Sequence, residues 1–317
     1  MSQRIVITGA NSGIGYAAAS QLIGRGCAVV LAVRDTKRGA EAAQRLREVV
    51  PAAEVEVMRL DLASLASVRG FAAEYGSRFS GPDVLINNAG VMALPRRIST
   101  DGYELQFATN YLGHFALTGL LLDGMAQRPA PRVVTVASLM HRIGRIPFDD
   151  LNYERRYSKW LAYSNTKLAC LLFAFELQRR AEAAGWGLRS VAAHPGYSST
   201  GLQFAGPRMA GSELKRHGYA LLNRVVGQSA EDGARPTVFA ATEDIPGGSY
   251  VGPDGPFEVR GAPTLVRATR RARDRTTAQR LWAIAEQRAG VRFDFGSARV
   301  GRTDPGKQSD TPTRRGE

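Results

Sequence analysis

Apolar, β-branched runs of about six residues recur along the chain, and each is followed by a longer stretch in which apolar positions return at helical spacing. The runs at 4–8, 28–33, 54–59, 83–87, 132–137, 188–193 and about 248–252 read as strands. Residues 14–23, 36–49, 65–79, 101–125, 157–184 and 230–242 read as helices, with a further one over about 267–289. Asp35-Thr36 is a start signal, and Gly24, Pro51 and Gly185 are stop signals. Such alternation predicts βαβ units and a parallel sheet. Because runs such as Val133-Val134-Thr135-Val136 are apolar almost throughout, helices should cover both faces of that sheet. The expected fold is α/β: a single doubly wound parallel sheet of about seven strands.

Two segments break the rhythm. Residues 139–156 are rich in charge. Residues 197–228 are rich in Gly and Ser yet carry Leu202, Phe204, Met209, Tyr219 and Leu221-Leu222. Long loops in compact domains are usually functional or disordered, and 197–228 is expected to be a lid over a lipophilic or bulky substrate. One domain should span 1–295, and the polar residues 296–317, which lack an apolar face, should form a disordered basic tail.

Composition narrows the class. At 317 residues, 44% hydrophobic and 22% charged, the chain is not a disordered or collagen-like one. No apolar run reaches the roughly 18 residues a spanning helix needs; 115–125 is shorter and contains Asp123. A strand already at residue 4 leaves no room for a secretory signal, and Cys27 and Cys170 make neither a metal spacing nor a disulfide framework. Core packing of both thiols in a cytoplasmic protein is the expectation. The net charge is +13, but residues 260–317 hold 14 Arg or Lys against 6 Asp or Glu, with few aromatics among them. A solvated basic surface therefore accounts for the charge better than nucleic-acid binding does.

Directly after the first strand, Thr8-Gly9-Ala10-Asn11-Ser12-Gly13-Ile14-Gly15 opens a helix. Glycine permits a tight turn and close approach of backbone to a pyrophosphate, and a helix N-terminus offers unpaired N–H groups to the anion. The spacing differs from G-x-G-x-x-G, but the strand before and the helix after point to a Rossmann-type dinucleotide site. Gly9, Asn11, Ser12, Gly13, Ile14 and Gly15 would line it. The second strand ends in Val33-Arg34-Asp35, with Lys37 and Arg38 behind. Arg34 is suited to a 2′-phosphate, favouring NADP(H) over NAD(H), unless it is only a solvated first turn. After the third strand, Asp61, followed by Leu62, suits either an adenine amino group or a helix cap.

Tyr163 and Lys167 stand four apart, one turn along the same helix face. An ammonium so placed stabilises phenolate and makes the phenol a usable acid–base group near neutrality. Ser138 ends the fifth strand, at the edge where ligands bind in open parallel sheets. Asn110 lies inside a helix that it disfavours, which calls for a polar reason. His114 and His141 are candidate relays, with structural packing and pocket lining as the respective alternatives. No His/Cys/Asp/Glu cluster has zinc spacing, and Ser138 lacks the G-x-S-x-G elbow of a hydrolase.

Together these motifs resemble the short-chain dehydrogenase/reductase family over roughly residues 4–295. The matching segments, in family order, are Thr8–Gly15, Asn87-Asn88-Ala89-Gly90, Asn110, Ser138, Tyr163-x-x-x-Lys167 and Pro195-Gly196-x-x-x-Thr200. The resemblance implies that Tyr163 exchanges the proton with the alcohol or carbonyl and that Ser138 orients that oxygen. It also implies that Lys167 assists Tyr163 and holds the nicotinamide ribose, and that Asn110 supports the lysine through water. Asn88, Ala89, Gly90, Pro195, Gly196 and Thr200 would contact the cofactor. Asn110-Tyr-Leu-Gly-His-Phe115, the long interval from Ser138 to Tyr163, and Phe148-Asp-Asp-Leu151 resemble the retinol-dehydrogenase-like branch, which includes relatives of protochlorophyllide reductase. Membrane-bound members carry an N-terminal anchor that a strand at residue 4 leaves no room for, so retinoid activity itself is not carried over. Ala137, Leu139 and Thr166 depart from the pattern around the reacting groups. By the same analogy the helices at 101–125 and 157–184 would pair subunits into a dimer or tetramer. The rival reading is a catalytically silent NADP(H)-binding regulatory protein, which would have no need of Ser138, Tyr163 and Lys167 together.

Overall fold

The computed structural model describes residues 2–197 and 228–295. Strands β1 (Arg4–Thr8), β2 (Ala28–Val33), β3 (Val55–Arg59), β4 (Val84–Asn87), β5 (Arg132–Val136), β6 (Arg189–Ala193), β7 (Tyr250–Pro253) and β8 (Pro263–Leu265) form one sheet in the order β3-β2-β1-β4-β5-β6-β7-β8. All pairings are parallel except β7 with β8. Helices α1 (Gly13–Ile23), α2 (Thr36–Val49), α3 (Leu65–Arg78), α4 (Leu105–Phe107), α5 (Gly113–Met125), α6 (Lys159–Ala183), α7 (Ala230–Thr242) and α8 (Arg275–Ala289) provide the covering layers.

The seven expected strands appear within two residues of their anticipated ends, and an eighth is added. β8 is three residues long and begins with Pro263, so it shows no alternation, and proline is tolerated there because the strand is at an edge. Two expected helices also differ. The 101–125 stretch is α4 and α5 joined by a π-helical turn, Ala108–Leu112. The 267–289 stretch holds a 3-10 turn at Arg271–Arg273 and becomes α-helical at Arg275, where Asp274 accepts a hydrogen bond from Thr277 N and caps α8. The expected lid at 197–228 and the expected tail at 296–317 fall outside the described residues, apart from Tyr197 and Gln228. Among the described residues, no helix is long and apolar enough to cross a membrane.

Side-chain alternation along the buried strands splits the core in two. Ile5, Ile7, Leu31 and Ile86 face α1, α2 and α7, where Leu22, Leu46 and Val238 pack. Val6, Val30, Leu85 and Val133 face the other layer, with Phe71, Phe115, Phe173 and Trp282. With β1 flanked by β2 and β4, successive crossovers run in opposite directions, and a crevice opens beyond the carboxyl ends of β1 and β4. The candidate chemistry gathers along that edge.

Candidate active site

The turn after β1 is built for close approach. Gly9 (φ +68°) and Gly13 (φ +56°) occupy the left-handed region, and a Cβ on Gly15 would lie 2.5 Å from Asn88 Nδ2. Ser12 caps α1 without a side-chain hydrogen bond, and the first turn has no acidic residue. The N–H groups at its start are therefore left without a side-chain acceptor, which suits an anion. Asn11 is half-buried beside them and Ile14 packs partly against the core.

The Thr8 side chain locks this turn to β4. Its hydroxyl accepts from Asn88 N and Ala89 N, both at 2.9 Å, while Asn88 Nδ2 donates to Thr8 O at 2.8 Å. The hydroxyl also lies 2.8 Å from His114 Nε2 and, more distantly, 3.4 Å from Ile86 O. His114 Nδ1 lies 3.0 Å from the carbonyl of Asn110, which can only accept, so Nδ1 carries the hydrogen and Nε2 accepts from Thr8. Burial lowers the imidazole pKa to about 4, so the ring is neutral. Of the two readings of His114, the structural one describes these contacts.

Arg34 is exposed at the end of β2, while the Asp35 carboxylate accepts from Arg38 N and caps α2. Asp61 Oδ1 accepts from Ala63 N, and Ser64 rather than Asp61 caps α3. Leu62 is buried, and a Cβ on Gly113 would overlap its carbonyl, which brings the third strand's exit against the start of α5.

The candidate reacting groups come from the end of β5, from α6 and from the π-turn. Ser138 caps the 3-10 turn Leu139–Ile143, its Oγ accepting from Met140 N at 3.2 Å, which leaves its hydrogen available to a ligand oxygen. Lys167 Nζ donates to Val136 O at 2.8 Å and lies 5.8 Å from the Tyr163 ring centroid. Tyr163 and Lys167 are both buried, 5% and 4% exposed. Asn110 clamps the segment after β4 by accepting from Val91 N at 2.7 Å and donating to Val91 O at 2.9 Å. The π-turn, a device common at functional sites, carries Asn110, whose carbonyl has two side-chain partners. That carbonyl takes His114 Nδ1 and, at 3.3 Å, the Cys170 thiol.

Several contributors escaped the motif reading. Thr166, a departure from the family pattern, bridges the site: its hydroxyl donates to Tyr163 O and accepts from Asn110 Nδ2. His141 is 1% exposed and donates from Nδ1 to Ser138 O at 2.7 Å, which props the serine turn. Gly196 (φ +66°) follows Pro195 beyond β6, and its N–H donates to His194 Nδ1. Thr200 lies outside the described residues. A surface cavity of about 390 Å³ bordered by Arg145, Phe148, Leu168, Arg270 and Asp274 contains none of the reacting groups. Among the described residues no group of three or more His, Cys, Asp or Glu is placed to hold a metal ion.

Comparison with known proteins identifies the family. A family model described as short chain dehydrogenase matches residues 3–207. Human retinol dehydrogenase 12 is 37% identical over 295 residues, covering 92% of this chain and 87% of that protein. Mouse polyprenol dehydrogenase is 39% identical over 286 residues, covering 88% and 81%. A crystal structure of an uncharacterized protein from Mycobacterium Paratuberculosis superposes with a TM-score of 0.75 at 47% identity, covering 92% of this chain and 95% of that one. The chain thus belongs to the short-chain dehydrogenase family, in its retinol-dehydrogenase-like branch, and is a dehydrogenase or reductase that works with an NAD(P) cofactor.

Proposed function

We propose that the protein interconverts a lipophilic alcohol and its aldehyde or ketone with NADP(H), using Tyr163 as the general acid and base. The observation that carries this reading is the contact between the dinucleotide loop and the reacting groups. A Cβ placed on Gly90 would stand 3.3 Å from Asn110 Oδ1 and 3.7 Å from Lys167 Nζ. A dinucleotide fits the cradle, because glycine alone is accommodated at Gly9 and Gly15 and the start of α1 offers N–H groups to phosphate. Gly9, Asn11, Ser12, Gly13, Ile14 and Gly15 would hold the pyrophosphate, Asp61 and Leu62 the adenine side, and Asn88, Ala89, Gly90, Pro195 and Gly196 the nicotinamide side. Exposed Arg34, without a carboxylate partner among the described residues, would take the 2′-phosphate.

When bound, the nicotinamide supplies or takes the hydride. The protein handles the oxygen. In reduction, the Ser138 hydroxyl donates a hydrogen bond to the substrate carbonyl and the Tyr163 hydroxyl delivers its proton to that oxygen; oxidation reverses both roles. The Lys167 ammonium stabilises negative charge left on Tyr163, and Thr166 and Asn110 fix the helix turn that carries both. Similarity to retinol and polyprenol dehydrogenases supports a substrate with a primary alcohol on an apolar, isoprenoid-like chain. The free thiols of Cys27 and Cys170 support a reducing, cytoplasmic setting.

Replacing Tyr163 by Phe removes the proton carrier and little else. Turnover of an aldehyde panel, followed by NADPH absorbance, is expected to fall by about 10² to 10⁴, with the NADPH dissociation constant near wild type. A Tyr163→Phe protein with full turnover would overturn this role, and a folded wild type that binds neither NADPH nor NADH would overturn the reading as a whole.

A further inference from the structure

Outside the reacting groups, one carboxylate ties together three segments far apart in sequence. Arg142 lies in the 3-10 turn that Ser138 caps, His194 directly precedes Pro195-Gly196, and Glu258 ends the short turn Pro256–Glu258 after β7. Arg142 Nη2 is 2.7 Å from Glu258 Oε1, and His194 Nε2 is 3.0 Å from Glu258 Oε2. Because Gly196 N–H donates to Nδ1, Nε2 carries the His194 hydrogen and donates to the carboxylate. The ring is fully buried, and burial is the first cause that lowers its pKa to about 3, so it is neutral and the Glu258 charge is balanced by Arg142.

The turn holds this arrangement against its own backbone preference. Phe257 (φ +56°) and Glu258 (φ +59°) are consecutive non-glycine residues in the left-handed region, a conformation that persists where the surroundings over-determine it. Phe257 is 86% exposed, so packing of its ring does not keep it there. The restraints are instead Glu258's two side-chain contacts, the Glu258 N to Gly255 O bond at 2.9 Å and the Tyr197 N to Val259 O bond at 2.8 Å. There is no slack around them. A Cβ on Gly196 would overlap Val259 O, and one on Gly252 would overlap His194 Nε2.

We propose that Arg142, Glu258 and His194 form a positioning strap that locks Pro195-Gly196 against the Ser138 turn and so sets where the nicotinamide end of the dinucleotide lies relative to Tyr163. The proposal rests on the cofactor reading above. Among the described residues, the hydrogen bonds and ion pairs of the three side chains run to one another and to Gly196, not to the turn at 9–15 or the loop at 88–90, so affinity for the dinucleotide and placement of its reactive end should separate.

The test compares full-length wild type with Arg142→Ala, Arg142→Lys, Glu258→Gln and Glu258→Gly, using NADPH itself as the probe. Expected for Arg142→Ala and both Glu258 variants are a near-wild-type NADPH dissociation constant and a nicotinamide fluorescence lifetime shortened toward that of free cofactor. Turnover should fall about 10- to 100-fold, the scale of a misplaced reacting group. Arg142→Lys should recover most of the loss. Glu258→Gly separates positioning from stability: it removes the carboxylate but relieves the left-handed strain, so its melting temperature should stay near wild type while its lifetime and turnover fall. Wild-type lifetime and turnover in all variants would overturn the strap and leave the cofactor reading standing. A lowered melting temperature with wild-type lifetime and turnover would reduce it to a structural clamp. Failure of the wild type to bind NADPH or NADH would overturn both.

Discussion

Arg34 and Asp35 are adjacent residues of opposite charge, and local bonding separates their roles. Asp35 spends its carboxylate on the N–H of Arg38 at the start of α2, while Arg34 projects from the end of β2 with its guanidinium exposed. A hydrogen bond to a charged group is worth about 1.5–3 kcal/mol, or roughly 10- to 100-fold in affinity. Arg34→Ala is therefore expected to weaken NADPH by that factor and leave NADH unchanged, as read by nicotinamide fluorescence titration; equal effects on both cofactors would remove Arg34 from the 2′-phosphate. At this scale the sequence was informative wherever a residue type is chemically scarce in its setting, as with Tyr163 and Lys167 one turn apart or Gly9 and Gly15 in a strand-to-helix turn. It did not reveal the bonding partners of Thr8, Thr166, His194 and Glu258. Their bonds join positions as far apart as 116 residues, from Arg142 to Glu258, and no spacing announces a partner that distant.

Among the elements, the π-turn between α4 and α5 depends most on a single proton state. Helical spacing of apolar positions predicted one helix over 101–125; only the misplaced Asn110 hinted at an irregularity. The Asn110 carbonyl in that turn accepts from neutral His114, whose other nitrogen accepts from Thr8. Ordinary histidine titrates near 6.5, and burial lowers His114 to about 4. Between those values the unfolded chain binds a proton that the folded chain refuses. The stabilisation is fully present above about pH 6.5 and is lost as pH falls toward 4, roughly 3 kcal/mol at about 1.4 kcal/mol per unit. His194, lowered to about 3, acts in the same direction and continues the loss further into acid. Urea unfolding at pH 7 and pH 4.5 should show the decline, and His114→Gln should make it shallower. An unchanged slope in that variant would assign the acid sensitivity elsewhere.

Across the whole molecule, α8 decides which faces are free for assembly. The family analogy places subunit contacts on the helices at 101–125 and 157–184, but here α6 is buried at every position from Thr166 to Gln178, with the sheet on one side and α5 and α8 on the other. Trp282 of α8 stacks on Phe173 at 5.7 Å, meets Phe115 edge-on at 5.0 Å and is covered by Arg180 at 4.4 Å and Phe293 at 4.5 Å. A helix apolar on every side belongs inside a fold, and this one's outer partner comes from its own chain. The pattern over about 267–289 predicted a helix, yet periodicity does not name what an element packs against. A dimer through α5 and α6 would require α8 to leave, and the loss of Trp282 packing alone, as in Trp282→Ala, is expected to cost about 3–5 kcal/mol in denaturant unfolding. Sedimentation equilibrium at micromolar concentration should accordingly return a monomer, or an oligomer whose hydrogen-exchange protection lies elsewhere. Protection of α5 and α6 that rises with protein concentration would show that α8 yields the face to a second copy.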